Sequence, residues 1–287
     1  MPQLADATGK VGDPGLLREL ISTDGCFLVR GVISQERVDA AARAVREHLR
    51  SASWTAPDSD IVAVPGPARG SAELYDMTVG LQRLEAVHRL AFDPGLQSLM
   101  TSLIGEPAYA HPCKAIRVQW PADRGGWPVL PHRDFTELQC AEDCFTTWIP
   151  LTACPARKGG LRLYPGSQHD AVLGNEVPDA PGAAASADLN PGDLLVFHSL
   201  LLHEGRPNET DQLRMSVDLR WQSIYDPRQP DAVLPHRYPA VPGWTELTEG
   251  WHSTCWIEAP PARLLARVPD EELRACASRF VHRTVSA

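Results

Sequence analysis

Apolar positions recur at helical spacing through the first third of the chain. Leu16, Leu17, Leu20 and Ile21 share one face, and Cys26-Phe27-Leu28-Val29 follows as a short apolar run that reads as a strand. Ser34 stands where an N-cap belongs, ahead of Val38, Ala41, Val45 and Leu49 along one side of a second helix. Residues 54–72, rich in Pro and Gly, predict a loop. Helical spacing returns at Leu81, Leu84, Val87 and Leu90. Asp93-Pro94 then opens a further helix, a capping carboxylate followed by Pro at the first helical position, which ends near Gly105.

From about residue 108 the pattern changes to short runs of β-branched and aromatic residues separated by Pro and Gly: 114–120, 145–151, 161–164, 194–198 and 214–221. Many short strands of this kind predict antiparallel β structure, a jelly roll or sandwich, rather than a parallel sheet alternating with helices. Residues 174–192, with Pro178, Pro181, Gly182, Pro191 and Gly192, make a loop long enough to be a lid. The expected organisation is one domain over 1–287. A helix-rich part (about 14–105) packs on a jelly-roll core (about 108–225), and a C-terminal extension covers 226–287.

Composition narrows the function classes. Of 287 residues, 43% are hydrophobic and 22% charged, which excludes a disordered or collagen-like chain. The formal net charge of −9 argues against a general nucleic-acid binder, which needs a basic stripe to displace counterions from phosphates. No run approaches the ~18 consecutive apolar residues of a membrane-spanning helix. The start, Met1-Pro2-Gln3-Leu4-Ala5-Asp6, lacks the basic and apolar regions of a signal peptide. Seven Cys, an odd number, fit reduced thiols and a cytoplasmic location. The cluster Cys140, Cys144 and Cys154 matches no paired zinc pattern and reads as structural.

Three segments carry the chemistry. In Pro131-His132-Arg133-Asp134-Phe135, an extended backbone would project His132 and Asp134 from the same face, so that an imidazole and a carboxylate converge. In Gly192-Asp193-Leu194-Leu195-Val196-Phe197-His198, continuing to His203-Glu204-Gly205, a strand leads to a loop bearing His203. Two His and one carboxylate on one side of a metal form the facial triad of non-haem iron(II) oxygenases, with positions left for a co-substrate and oxygen. His198 competes for the third position, but at the end of an apolar strand it reads as packed. The third segment, Arg214 to Trp221, alternates almost perfectly, with Arg214, Ser216, Asp218 and Arg220 on one face. A hairpin after His203 would return Arg214 beside the metal. There its guanidinium can hold a dicarboxylate by paired charge-assisted hydrogen bonds, with the Ser216 hydroxyl adding another.

Together, His132-x-Asp134, His203 within Gly192-Asp-Leu-Leu-Val-Phe-His…His203-Glu-Gly-Arg-Pro-Asn208, and Arg214-x-Ser216 resemble the phytanoyl-CoA hydroxylase family of Fe(II)/2-oxoglutarate dioxygenases. Trp148-Ile-Pro-Leu151 and Gly159 to Ser167 fit the same pattern, and the resemblance spans roughly residues 20–225. One departure is Pro165-Gly-Ser-Gln168-His169 in place of Pro-Gly-Ser-His. The resemblance implies a double-stranded β-helix (jelly roll, cupin-like), mainly β with flanking helices. It makes His132, Asp134 and His203 the iron ligands and catalytic centre. Arg214 binds the distal carboxylate of 2-oxoglutarate, with Ser216 and Trp148 lining that pocket. Ile116-Arg117…Trp120-Pro121 and Phe145 to Leu151 look most like bacterial hydroxylases of terpenoid acids and other specialised metabolites. Arg117, on a strand face with Ala115 and Gln119, is placed to meet 2-oxoglutarate or an anionic substrate, or else to serve as a structural Arg.

The implied reaction consumes 2-oxoglutarate and O2, releases succinate and CO2, and hydroxylates an unactivated C–H bond of a small-molecule substrate, with no nucleic-acid or membrane partner. Desaturation, epoxidation or ring closure use the same ligands, and a non-catalytic metal-binding barrel is the rival outside enzymology. Related halogenases replace the carboxylate by a small residue, so Asp134 favours hydroxylation. Phe135, Leu138, Gln139, Arg220 and Trp221, with Trp244, Trp251 and Trp256, are the candidates for walling the substrate pocket or capping the barrel. The sequence sets no oligomeric state.

Overall fold

The computed structural model describes residues 3–139, 141, 143–170, 177, 184–237 and 240–267. Helix α1 (Pro14–Thr23) is opened by the Asp13 carboxylate, which accepts the Leu16 N–H, and by Pro at the first position. Strand β1 (Cys26–Val29) follows, then α2 (Gln35–Ser51), which buries Val38, Ala41, Ala42, Val45 and Leu49. Ser34 occupies the α2 N-cap position without a side-chain capping bond. Its backbone N–H instead donates to the Asp93 carboxylate, 3.1 Å away.

The apolar spacing from Leu81 to Leu90 is not one helix. It divides into α3 (Ala72–Gln82), α4 (Glu85–His88) and a 3-10 turn (Arg89–Phe92). The Gln82 carbonyl is taken by the ring Nε2 of His88 at 3.0 Å, and the Gln82 amide donates to Lys114 O at 3.2 Å, so the backbone bends where these side chains hold it. Helix α5 (Pro94–Ile104) has the predicted Asp93 cap, donors Gly95 and Leu96, and stops at Gly105, whose φ of 81° needs no Cβ.

The β part comprises β2 (Ala108–Ala110), β3 (Ala115–Gln119), β4 (Phe145–Pro150), β5 (Leu161–Leu163), β6 (Leu194–His198), β7 (His203–Gly205) and β8 (Arg214–Ser223), with a one-turn helix α6 (Asp134–Glu137) before β4. A large antiparallel sheet runs β1-β6-β4-β8-β2, with β3 also pairing β8; a small sheet pairs β5 with β7. All five predicted strand runs are present. His203, expected on a loop, instead begins β7, which pairs β5 and not β8, so no hairpin links His203 to Arg214.

Both faces of the large sheet are covered. Phe27, Val29, Ile149, Val196, Met215, Val217, Leu219 and Trp221 pack in one core with Leu17, Val38, Val45, Leu49, Leu96 and Leu99 of the helices. On the opposite face, Leu28, Trp148, Leu195 and Phe197 meet Leu161, Leu163, Ala185 and Leu189 beside the small sheet. Burial on two sides makes every residue of β4, β6 and β8 inaccessible, and each large apolar side chain so buried contributes about 1.5–3 kcal/mol. Residues 174–176 and 178–183 of the predicted lid at 174–192 lie outside the described residues, as does Cys140. Within its described part, Ala185 bridges Leu163 and Leu189 bridges Cys154. The described cysteines Cys26, Cys113, Cys144, Cys154 and Cys255 are free thiols. No helix among the described residues is long and apolar enough to cross a membrane.

Candidate metal centre and co-substrate pocket

His132 and His203 face each other across an antiparallel bridge, each backbone N–H donating to the other's carbonyl at 2.9 and 3.0 Å. Their rings lie side by side with centroids 4.2 Å apart. The backbone stays extended through Arg133 (φ −117°, ψ 131°) and then turns into α6 at Asp134. One extended residue is enough for alternation, so His132 and Asp134 share a side while Arg133 points into the protein. Arg133 there donates to the carbonyls of Ser167 and Leu200 and to Asp170. One ligand atom from each of His132, Asp134 and His203 can be chosen so that all three lie within 4.8 Å of one another.

The tautomers follow from the hydrogen bonds. His132 Nδ1 lies 2.9 Å from Leu130 O and His203 Nδ1 lies 3.0 Å from Leu201 O. A carbonyl only accepts, so each Nδ1 carries the proton and each Nε2 keeps its lone pair. Burial pushes the His203 imidazole down to about 4, against the pull of Asp134, so it is neutral at pH 7. For Asp134, burial opposes ionisation, but the Arg220 guanidinium, donating at 2.8 Å, outweighs it; with His203, His132 and the Thr146 hydroxyl it holds the carboxyl well below its usual range. The Nε2 atoms of two imidazoles and one ionised carboxylate are a donor set that fits a divalent first-row metal.

The second half of the site lies on the inner face of β8. Arg214, Ser216, Asp218 and Arg220 are all buried, so this polar face lines the interior instead of meeting water. Two of its charges are matched within the protein: Arg220 with Asp134, and Asp218 with Arg117 at 2.6 Å. Arg214 is not. Its Nε donates to Gln119 Oε1 and Gly159 O, both at 3.1 Å, its Nη1 to Ser216 Oγ at 2.6 Å and its Nη2 to Gln119 Oε1 at 2.6 Å. All these partners are neutral, and burial pushes the guanidinium down to about 10. The Trp148 ring lies 5.7 Å away, and its buried indole N–H has no hydrogen-bond partner among the described residues. A buried cation held only by neutral acceptors, beside an unused N–H, is suited to an incoming carboxylate.

Residues 21–216 match the family model described as "Phytanoyl-CoA dioxygenase (PhyH)", which is more than half of the chain. The chain belongs to this family. It is 25% identical over 266 residues to the 1-deoxypentalenic acid 11-beta-hydroxylase of Streptomyces arenae, covering 80% of this chain and 89% of that protein. The Streptomyces exfoliatus enzyme of the same name is 25% identical over 254 residues, covering 80% of this chain and 88% of its own length. Among solved structures, the epimerase SnoN in complex with Fe3+, alpha ketoglutarate and nogalamycin RO superposes with a TM-score of 0.56 at 20% identity, over 88% of this chain and 97% of that one.

Other residues singled out in this phytanoyl-CoA dioxygenase family chain fall into distinct places. His198 is outside the cluster: it is buried edge-on against Phe145, with Nδ1 accepting the Leu200 N–H at 3.1 Å. Phe135, Leu138 and Gln139 are buried. Trp221 faces the helices and donates to Thr147, so it does not wall a pocket. The C-terminal tryptophans also lie elsewhere. Trp244 and Trp251 pack on His88, Trp256 packs on Phe92, and their indoles donate to Val233, Arg83 and Glu85, so this segment straps the helices.

Sequence reasoning gave no site role to Gln119 and Thr146, and it gave Arg220 only a pocket wall. The first two sit on strand positions opposite residues it had marked, Gln119 opposite Arg214 and Thr146 opposite Arg220. Strand alternation carried that signal, but pairing two strands a hundred residues apart required the fold.

Proposed function

We propose that this protein is an Fe(II)/2-oxoglutarate-dependent dioxygenase that hydroxylates an unactivated C–H bond of a small-molecule metabolite in specialised biosynthesis. Its core is read as a double-stranded β-helix within a single domain over 1–287, supported by two antiparallel sheets enclosing the site. His132, Asp134 and His203 hold the ferrous ion, and Arg214, with Ser216 and Trp148, holds the distal carboxylate of 2-oxoglutarate. A cytoplasmic location belongs to the same reading, supported by the five free thiols.

The observation that carries this reading is the convergence of two Nδ1-protonated imidazoles and an ionised carboxylate. A ferrous ion held by His132, Asp134 and His203 would supply the oxidising chemistry with O2 and 2-oxoglutarate, the latter leaving as succinate and CO2. The protein's own residues do the rest. Leu130 and Leu201 carbonyls orient the imidazoles, Arg220 and Thr146 keep Asp134 ionised, and Gln119 and Ser216 fix the Arg214 fork. The test is anaerobic addition of Fe(II) and 2-oxoglutarate. A visible charge-transfer absorbance, followed by succinate formation on admitting air, is expected. Purified protein that takes up no Fe(II), or that leaves 2-oxoglutarate unbound, would overturn the reading.

A further inference from the structure

A cavity of about 280 Å3 opens beside Arg220, the β8 residue bonded to Asp134. Cys113, Leu138 and Leu234 give it apolar walls, and buried Arg220 and half-buried His236 are the polar groups among them. Glu137, Asp231 and Arg237, all exposed, stand at its mouth. Two carboxylates against one guanidinium leave that mouth with an excess of negative charge. His236 lies beyond residue 216, where the match to the family model ends.

Two N–H groups of these residues lack acceptors. Arg220 donates to Asp134 through Nη2 at 2.8 Å, while its buried Nε has no partner among the described residues. His236 carries the other. Cys113 Sγ lies 4.0 Å from His236 Nδ1, and burial pushes this thiol up, so the S–H keeps its proton and Nδ1 accepts. The ring proton is therefore on Nε2, which has no hydrogen bond among the described residues. Burial, then Arg117, Arg220 and Arg237, hold the imidazole well below its ordinary range against Asp134, so the ring is neutral. The charges decide what these donors suit. Arg220 is already matched by Asp134, His236 is neutral and the mouth is negative, so an anion gains little here. A neutral carbonyl oxygen, with two lone pairs, can satisfy both N–H groups at once.

We propose that this cavity receives a neutral carbonyl group of the substrate, its oxygen gripped by Arg220 Nε–H and His236 Nε2–H, with the adjoining hydrocarbon against Leu138 and Leu234. Because Arg220 is bonded to Asp134, the C–H bonds brought to the metal centre are those a few bonds from that carbonyl. This rests on the dioxygenase reading for what becomes of the bound molecule, but its test does not require turnover.

Three probes share one bicyclic skeleton and differ in a single group: norcamphor carries C=O, 2-methylenenorbornane C=CH2 and norbornane-2-carboxylate an anion. Binding to the metal-free protein is measured by ligand-observed NMR. The hydrocarbon leaves water more readily than the ketone, so a preference for the ketone must come from donors in the cavity. Norcamphor is expected to bind about tenfold tighter than the hydrocarbon, and the carboxylate most weakly. His236→Leu should bring norcamphor down to the level of the hydrocarbon and leave the hydrocarbon unchanged. His236→Gln, whose amide still donates, should recover part of the preference. Arg220→Lys keeps a cation for Asp134 but lacks Nε, and should weaken norcamphor alone. His236 also reaches the cleft over β3, whereas Leu234 lines only this cavity, so Leu234→Trp should abolish binding of all three probes. Tightest binding of the hydrocarbon or the carboxylate, no binding of any probe, or equal norcamphor affinity in His236→Leu and His236→Gln would overturn the proposal. Binding that survives Leu234→Trp would overturn it too, by placing the probes elsewhere. If the ketone preference holds but Fe(II) and 2-oxoglutarate give no charge-transfer band, the dioxygenase reading fails and the carbonyl site stands; a band without the preference is the reverse.

Discussion

Arg220 donates to Asp134 Oδ1 across 2.8 Å, joining the last third of β8 to the first residue of α6, 86 positions earlier in the chain. Both side chains are almost fully buried. In the metal-free protein this guanidinium, with His203, His132 and Thr146, offsets the burial of the carboxylate.

Replacing Arg220 by Met should therefore destabilise the metal-free protein by about 3–5 kcal/mol, the cost of leaving a buried charge without its partner. A divalent ion bound by Asp134 restores a positive charge at the same place. Denaturant unfolding is expected to show a large loss for Arg220→Met without metal and a smaller one with saturating Co(II). Metal affinity itself should fall about 10–100-fold, as for other groups that orient a ligand. An identical loss with and without metal would show that Arg220 acts through packing alone.

His132→Ala or Asp134→Ala should abolish both iron uptake and succinate formation, because each removes a donor atom from the cluster. His198→Ala should leave iron uptake intact and cost about 1–3 kcal/mol of stability through the lost contact with Phe145 and the Leu200 N–H left unsatisfied. Equilibrium dialysis with Fe(II) separates the two groups. Iron binding lost in His198→Ala and kept in His132→Ala would reverse the ligand assignment.

Arg214→Met should weaken 2-oxoglutarate binding by about two orders of magnitude, since charge-assisted hydrogen bonds to an ion are worth about 1.5–3 kcal/mol each. Ser216→Ala removes only the hydroxyl that takes Nη1, so its effect should be several-fold smaller. Co(II) affinity measured without 2-oxoglutarate should not change in either variant. A parallel loss of metal binding would place Arg214 in the metal centre instead of the co-substrate pocket.

How much of this was legible in the sequence depends on the length of the element that carries it. The ten residues of β8 alternate long enough to separate two faces, and that separation holds in the fold. Alternation has the same period for a solvated face and for the lining of a cavity, so burial of Arg214, Asp218 and Arg220 became evident only with the second sheet in place. That sheet is built from β5 and β7, each of three residues, too short for a periodic signal and hence the misplacement of His203 on a loop. The metal cluster was legible because His132-x-Asp134 is local and His203 is marked by its flanking residues. The Asp134–Arg220 and Asp218–Arg117 pairs were not, because neither partner's neighbours announce the other. The split of α3 from α4 escaped for a similar reason: the apolar spacing continues through it, while the bend is fixed by His88 and Lys114 acting on Gln82.

Lys114 makes the last prediction, away from the metal centre. Its side chain is fully buried, with the amine donating to Trp256 O at 3.1 Å, and burial pushes it down to about 7 against a weak opposing pull from Cys113. Between about pH 7 and the ordinary Lys value of 10.5, the unfolded chain holds a proton that the native protein lacks. Stability must therefore rise with pH across that window, by up to about 1.4 kcal/mol per pH unit, and the contribution is lost as pH falls through 7. Lys114→Met keeps the bulk and removes the charge. It should be more stable than the unsubstituted protein at pH 7, with the difference shrinking steadily towards pH 10. Comparing the two proteins cancels the other thiols; Cys113, which is coupled to Lys114, is removed as a second titrating group by making the same comparison in a Cys113→Ala background. A difference in unfolding free energy that stays constant from pH 7 to pH 10 would mean that Lys114 keeps its charge in the folded state, with its amine satisfied beyond the Trp256 carbonyl.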